Sequence, residues 1–415
     1  MKRYYSVKIT IAALALSTAL CGCSLFGGTS SSRTLSEVSL PTTEEMVLKY
    51  DGYGFQVLQT KAEQRLYAGI DAAVQKNVSE EFVTENLDDV SRVSDVIEFY
   101  KDDHPEVFWI DDTEPYYYSE EGELLNIMLN YRLSGDELTA AKQALEEKVE
   151  EAVNGAPETD DSYTLEMYAH DCVIAACEYD ELSTKLHKID KVRSNEQNVY
   201  GVFVEKKAVC EGYARAFQLL CDRLELPCWV IQGKAKSSDD DEAVNHIWNC
   251  VMLDDDWYQV DVTWDDTDGE AAVDCENYLY FNLTTKIMTI DHEISPSYSD
   301  YSDSEIWYNG FVPECDSTEY YYFRRNAMTL ESLDDESAVT YLAEIAANGD
   351  DECVFVIGDD LDFKTTYDEI VSRYAYEWIT QANEINGYYP ALNAECKLTY
   401  NEDRRLVVLS LEEQQ

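Results

Sequence analysis

Apolar residues recur along this chain with two alternating periods, and the switches between them mark its elements. Helical spacing runs through Ala62 to Val74 and through Val93 to Tyr100. An aromatic stretch HPEVFWI (His104 to Ile110) follows, then Tyr116 to Tyr118, then a strand-like run ending at Leu133. A long charged helix is expected from Gly135 to Asn154, stopped by Asn154-Gly155-Ala156-Pro157. These elements define an N-terminal α+β domain over residues 46–157.

The next segment, 158–295, opens with a helix over Leu165 to Tyr179. A second helix from Cys210 to Leu224 places Tyr213, Phe217, Leu220, Cys221 and Leu224 on one face, with Cys210 at its first turn. Residues 246–253 then alternate as a strand, with His246, Trp248, Cys250 and Met252 sharing a face. Asp254-Asp255 reads as a tight turn, and 257–264 alternate again with Trp257, Gln259, Asp261 and Thr263 together. A two-residue turn pairs Leu253 with Asp256, hence His246 with Thr263, and makes Asp261 the diagonal neighbour of His246. Residues 294–312 read as loop. The last stretch, 296–415, predicts a strand at Tyr320 to Phe323, helices at Glu336 to Ala347 and Tyr367 to Asn386, and strands at Cys353 to Ile357, Ala394 to Tyr400 and Arg405 to Leu411. The whole is an α+β fold in three parts.

Composition adds export to this picture. Residues 2–8 carry three cations and residues 9–20 form a short apolar run, the pattern of a signal peptide over 1–22. The segment ends Leu20-Cys21-Gly22-Cys23 and is similar to a bacterial lipobox, with Cys23 as the lipidated residue and a Ser/Thr-rich tether over 23–45. A lipid there would anchor the protein to the outer face of a membrane. The formal net charge is −53, and loss of Lys2, Arg3 and Lys8 with the leader takes it to about −56. So acidic a surface excludes nucleic acid as a partner and reads first as a solubility device. Ten cysteines lie beyond the lipobox, without CxxC spacing or a Cys/His cluster, so free buried thiols are expected and no metal site. The acidic run Asp239 to Glu242 reads as solvated loop charge.

Three of these positions carry chemistry. A thiol at a helix N-terminus sees unpaired N–H groups and the positive end of the dipole, which favour thiolate. His246 would take its proton, and Asp261 would fix the imidazole tautomer. Taken singly, a free cysteine, a core histidine and a surface aspartate are each more often structural; among five histidines, His246 is the one expected to have such a partner. The Cys210 N–H would contribute to an oxyanion hole, with a second donor from Gln197, Asn198 or Tyr200. Gly212 keeps the first helical turn slim for a substrate backbone.

The segments C-E-G-Y-A (210–214), H-I-W-N (246–249) and V-D-V-T-W-D-D (260–266) resemble the bacterial transglutaminase-like family of papain-fold cysteine enzymes. The likeness extends to YLYFNLT (278–284), Asp291-His292, the His170-Asp171 helix and HPEVFWI, and so covers roughly residues 50 to 320. Lys206-Lys207 departs from the Gly-Lys common in that family. The resemblance implies a papain-like core and Cys210, His246 and Asp261 as its triad; His170, Asp171 and His292 also match the family and are read here as packing or hydrogen-bonding residues. The expected function is acyl transfer or hydrolysis on peptide or protein amides at the cell surface, without a cofactor. Hydrolysis is favoured because water is abundant there and no amine-binding feature is legible. The rival is a catalytically silent binding or scaffold module for cell-wall peptides.

Overall fold

The computed structural model describes residues 49–50, 52–76, 82–83, 92–111, 116–118, 124–182, 195–236, 242–267, 277–296, 312–387, 391–393 and 396–411. The expected leader, Cys23, the tether and most of the loop at 294–312 lie outside these residues. No described helix is long and apolar enough to cross a membrane.

The N-terminal elements are α1 (Tyr53–Gln56), α2 (Lys61–Lys76), β1 (Phe82–Val83), α3 (Arg92–Asp103), β2 (Ile110–Asp111), β3 (Tyr116–Tyr118), β4 (Leu124–Met128), β5 (Asn130–Tyr131) and α4 (Gly135–Asn154). A capping box starts α2: the Thr60 hydroxyl accepts from Glu63 N at 3.1 Å, and the Glu63 carboxylate accepts from Thr60 N at 2.9 Å. Asp103 at the end of α3 accepts from Gly54 N, Phe55 N and the Tyr67 hydroxyl, which ties α1 and α2 to α3. Helix α4 matches its predicted bounds and buries Leu138, Ala141, Leu145 and Val149, the i, i+3, i+4 stripe that the periodicity specifies.

The central part follows with α5 (Ser162–Ala176), β6 (Glu178–Tyr179), a 3₁₀ turn (Asn195–Gln197), a π turn (Gly201–Glu205), β7 (Lys207–Ala208), α6 (Cys210–Arg223), β8 (Cys228–Ala235), β9 (Val244–Leu253), β10 (Asp256–Val260), α7 (Val262–Asp265), α8 (Thr285–Met288) and β11 (His292–Ile294). Helix α5 starts earlier than expected because Asp161 caps it, accepting from Thr164 N. It also stops earlier, since residues 178–179 pair as a parallel strand with β7. The antiparallel sheet runs β10-β9-β8-β11. Asp254 and Asp255 both adopt left-handed backbone (φ 48° and 76°), the two-residue turn that sets Leu253 opposite Asp256 as expected. The expected alternation through residue 264 fails, because β10 ends at Val260, opposite Asn249. The Asp261 N–H donates to Tyr280 O instead of to β9, so no Thr263–His246 pair forms.

The C-terminal part comprises α9 (Tyr322–Asn326), β12 (Met328–Leu330), α10 (Ser337–Asn348), β13 (Glu352–Ile357), α11 (Phe363–Glu369), a π turn (Ile370–Tyr374), α12 (Ala375–Ile385), β14 (Leu398–Asn401) and β15 (Leu406–Ser410). The strand expected at Tyr320 to Phe323 is replaced by α9. Its aromatic side chains have separate partners rather than two faces of a sheet: Tyr322 stacks on Tyr278 at 4.1 Å and Phe323 is buried. The helix expected at 367–386 begins at Phe363, capped by Asp362, and winds through the π turn. The sheet runs β12-β13-β15-β14, with β12 parallel to β13 and the other pairs antiparallel. Strand β13 turns Cys353, Phe355 and Ile357 toward Trp378 and the other helix residues, and Val356 toward Trp248 and Ile231 of the central sheet. The C-terminal sheet is thereby packed onto the sheet that carries His246. From Tyr50 to Phe281, by contrast, the N-terminal and central elements share one apolar cluster.

Candidate active site

Helix α6 is aimed by its neighbours. Asn249 on β9, fully buried, donates through Nδ2 to Ala214 O at 3.0 Å and so fastens the helix to the sheet. Arg215, also buried, holds Glu211 at 3.0 Å, Asp102 at 3.1 Å and Lys101 O at 2.9 Å, linking α6 to α3. Val209 precedes the helix in extended conformation, and no side chain caps its N-terminus. Cys210 is the first helical residue, half-buried and free. A Cβ on Gly212 would lie 2.5 Å from Glu196 O and 2.9 Å from Ala208 Cβ. The glycine is needed because the chain's own 3₁₀ turn crosses the helix there, whereas the sequence suggested an approaching substrate.

His246 sits on β9 opposite Gly233 of β8. Its Nε2 lies 2.6 Å from Asp261 Oδ2. The Cys210 thiol is its neighbour on the other side, close enough to add to the proton affinity of the ring. With Nε2 engaged by the carboxylate, Nδ1 is the nitrogen left for the sulfur. Asp261 reaches the ring not as a strand neighbour but as the N-cap of α7, its Oδ1 accepting from Thr263 N at 3.0 Å and Trp264 N at 3.3 Å. Burial works against charge at both groups. The Asp261 carboxylate and the adjacent thiol outweigh it and hold the imidazole well above its ordinary range. The His246 and His292 rings outweigh it at Asp261, which stays well below the usual carboxylate range.

His246 is not the histidine with the sole carboxylate partner. His292 Nε2 lies 3.0 Å from the same Asp261 Oδ2, and its Nδ1 2.6 Å from Asp291 Oδ1. His170, fully buried, lies 3.1 Å from Asp265 Oδ2 and 2.9 Å from Asp171 Oδ1. Both act as the hydrogen-bonding residues expected of them. The Asp261 contact of His292 spans 31 residues and arises only when β11 pairs with β8; its sole sequence signal was the adjacent Asp291. Asn249 was likewise missed as a tether. Among the described residues, His246, Asp261 and His292 bring three metal-ligand atoms within 4.8 Å of one another, a proximity their mutual hydrogen bonds explain.

Gln197 closes the 3₁₀ turn, and Asn198 and Tyr200 follow it; Glu196 O of that turn accepts at 2.8 Å from the N–H of Val209, the residue before Cys210. Asn198 Oδ1 accepts from Tyr200 N at 2.9 Å, and the Tyr200 ring stacks on Phe108. Gln197 Oε1 is buried without a hydrogen-bond partner.

Residues 150–262 match the transglutaminase-like superfamily. Residues 150–262 therefore form a transglutaminase-like domain within an α+β structure. No curated protein matches it. Among solved structures, one of a TGase aligns over 36% of this chain and 43% of its own, at 13% identity and a TM-score of 0.25. A candidate cysteine protease from Cytophaga hutchinsonii aligns over 36% of this chain and 60% of its own, at 13% identity and a TM-score of 0.24. The chain thus spans about half the length of these two relatives.

Proposed function

We propose that this protein is a cysteine enzyme that transfers or hydrolyses acyl groups of peptide or protein amides through Cys210, His246 and Asp261. The observation that carries the reading is the His246 imidazole, held at 2.6 Å by the buried Asp261 carboxylate and raised in proton affinity by that carboxylate and the neighbouring Cys210 thiol. In the proposed cycle His246 takes the thiol proton and the sulfur attacks the carbonyl carbon. The oxyanion is met by the N-terminal N–H groups of α6, with the Gln197 side-chain N–H as the second donor. His246 then protonates the leaving amine. Water or a second amine releases the acyl group, and hydrolysis is the outcome favoured where water is abundant. The protein is further proposed to work on the outer face of a bacterial membrane, held by a lipid on Cys23; the support is the Leu20-Cys21-Gly22-Cys23 pattern.

The test is iodoacetamide labelling of Cys210 against pH. Alkylation should persist well below the ordinary thiol pKa of about 8.5 and lose that low-pH limb in His246→Ala. A Cys210 that reacts like a free thiol in both proteins sinks the enzyme reading and leaves a binding module.

A further inference from the structure

We propose that His292 is a positioning residue for the Asp261–His246 pair, and that Arg404 of the C-terminal sheet holds it there through Asp291. The inference rests on the triad reading and adds to it what keeps the carboxylate aimed. Asp261 divides its two oxygens between separate duties. Oδ1 accepts the two N–H groups of α7, and Oδ2 accepts from His246 at 2.6 Å and His292 at 3.0 Å. With only His246 on Oδ2, that oxygen would be fixed by the same ring it is supposed to orient. A second donor at an independent position fixes the oxygen in space, so that His246 aligns to it.

His292 is suited to that role because its own ring is immobilised. It is 2% exposed. The rings of Trp264 at 4.5 Å, Trp248 at 4.9 Å, His246 at 5.3 Å and Tyr280 at 5.6 Å surround it. The charged groups that meet it are Asp261 on Nε2 and Asp291 on Nδ1. Glu293 alternates to the other face of β11, opposite Lys234 of β8. Asp291 is steadied in turn by the Tyr280 hydroxyl at 2.8 Å and by Arg404 at 3.5 Å. Arg404 lies in the turn between β14 and β15, 3% exposed and 4.7 Å over the Tyr280 ring, and donates to Leu279 O and Ile287 O. A continuous chain of close polar contacts therefore runs from the C-terminal sheet through Asp291, His292 and Asp261 to the His246 imidazole. No proton need travel along it; its effect is orientation, as outer-shell partners act on the groups they hold.

The experiment measures the rate of Cys210 alkylation by iodoacetamide from about pH 5 to 9, with thermal melting of each variant as the check on folding. The proteins are wild type, His246→Ala, His292→Phe, His292→Gln and Arg404→Met. Phe keeps the ring volume and removes the donor; Gln returns an N–H near the Nε2 position. His292→Phe is expected to lower the rate on the low-pH limb by about tenfold or more, His292→Gln to recover most of it, and Arg404→Met to lower it several-fold. A folded His292→Phe with the wild-type profile overturns the proposal. So does a loss that His292→Gln does not relieve, because that is the mark of packing alone. If His292→Phe does not fold, Arg404→Met decides: a wild-type profile in it overturns the proposal. A wild type with no low-pH limb, or one that His246→Ala leaves intact, instead strikes the triad reading itself and takes this inference down with it.

Discussion

Glu166 shows how a single buried group gives this protein a pH dependence of its own. Burial pushes its carboxyl up to about 8, against the Asn282 amide, which donates to it at 2.8 Å, and the nearby His170. The folded state therefore keeps this proton between about 4.5 and 8, where the unfolded chain has released it. Folding takes up a proton across that window, so stability falls as pH rises through it, by at most about 1.4 kcal/mol per pH unit. Glu166→Gln, which has no proton to lose, should flatten the slope and melt above wild type at pH 8. Parallel melting curves at every pH would refute the assignment. The same residue-scale reading explains what was legible in the sequence. Cys210 and His246 stand out because rare, reactive types sit at the start of a helix and on a strand, places that local periodicity reveals. Glu166 and His292 do not, because their character comes from burial and from partners 116 and 31 residues away.

At the scale of elements, the site depends on two devices that position α6, one against the sheet and one against the 3₁₀ turn. Asn249→Ala removes the amide that bonds Ala214 O and should cost about 1–3 kcal/mol, while slowing Cys210 alkylation as the helix loses its fixed distance from β9. A variant that is destabilised but labels as fast as wild type would reduce Asn249 to a packing residue. Gly212→Ala forces a methyl against the Glu196 carbonyl, and backbone cannot swing aside as a side chain can. It should cost roughly 1–3 kcal/mol and slow labelling as well, checked by denaturant melting and the same alkylation assay. Most helices and the β9–β10 turn were legible, since period and the Asp254-Asp255 pair specify them locally. The departures occur where tertiary partners take over: Tyr280 claims the Asp261 N–H and ends β10, and Tyr278 draws Tyr322 into a helix.

For the whole molecule, the net charge of −53 sets how the protein meets its surroundings. Basic peptides should be captured faster than acidic ones, with an advantage that shrinks as salt rises past the point where the Debye length is about 10 Å. An unchanged ratio across salt would place selectivity inside the cleft instead. If the proposed lipid on Cys23 is present, Cys23→Ala should move the protein from the detergent phase to the aqueous phase in a partitioning assay, and equal partitioning would remove the lipid anchor.

The carboxylate that serves His246 also caps α7, and this ties the onset of reactivity to folding. Asp261 can hold the imidazole only after residues 262–265 have coiled beneath its other oxygen and β11 has closed beside it. On the proposed reading, a chain that lacks this turn has no aligned imidazole to take the Cys210 proton.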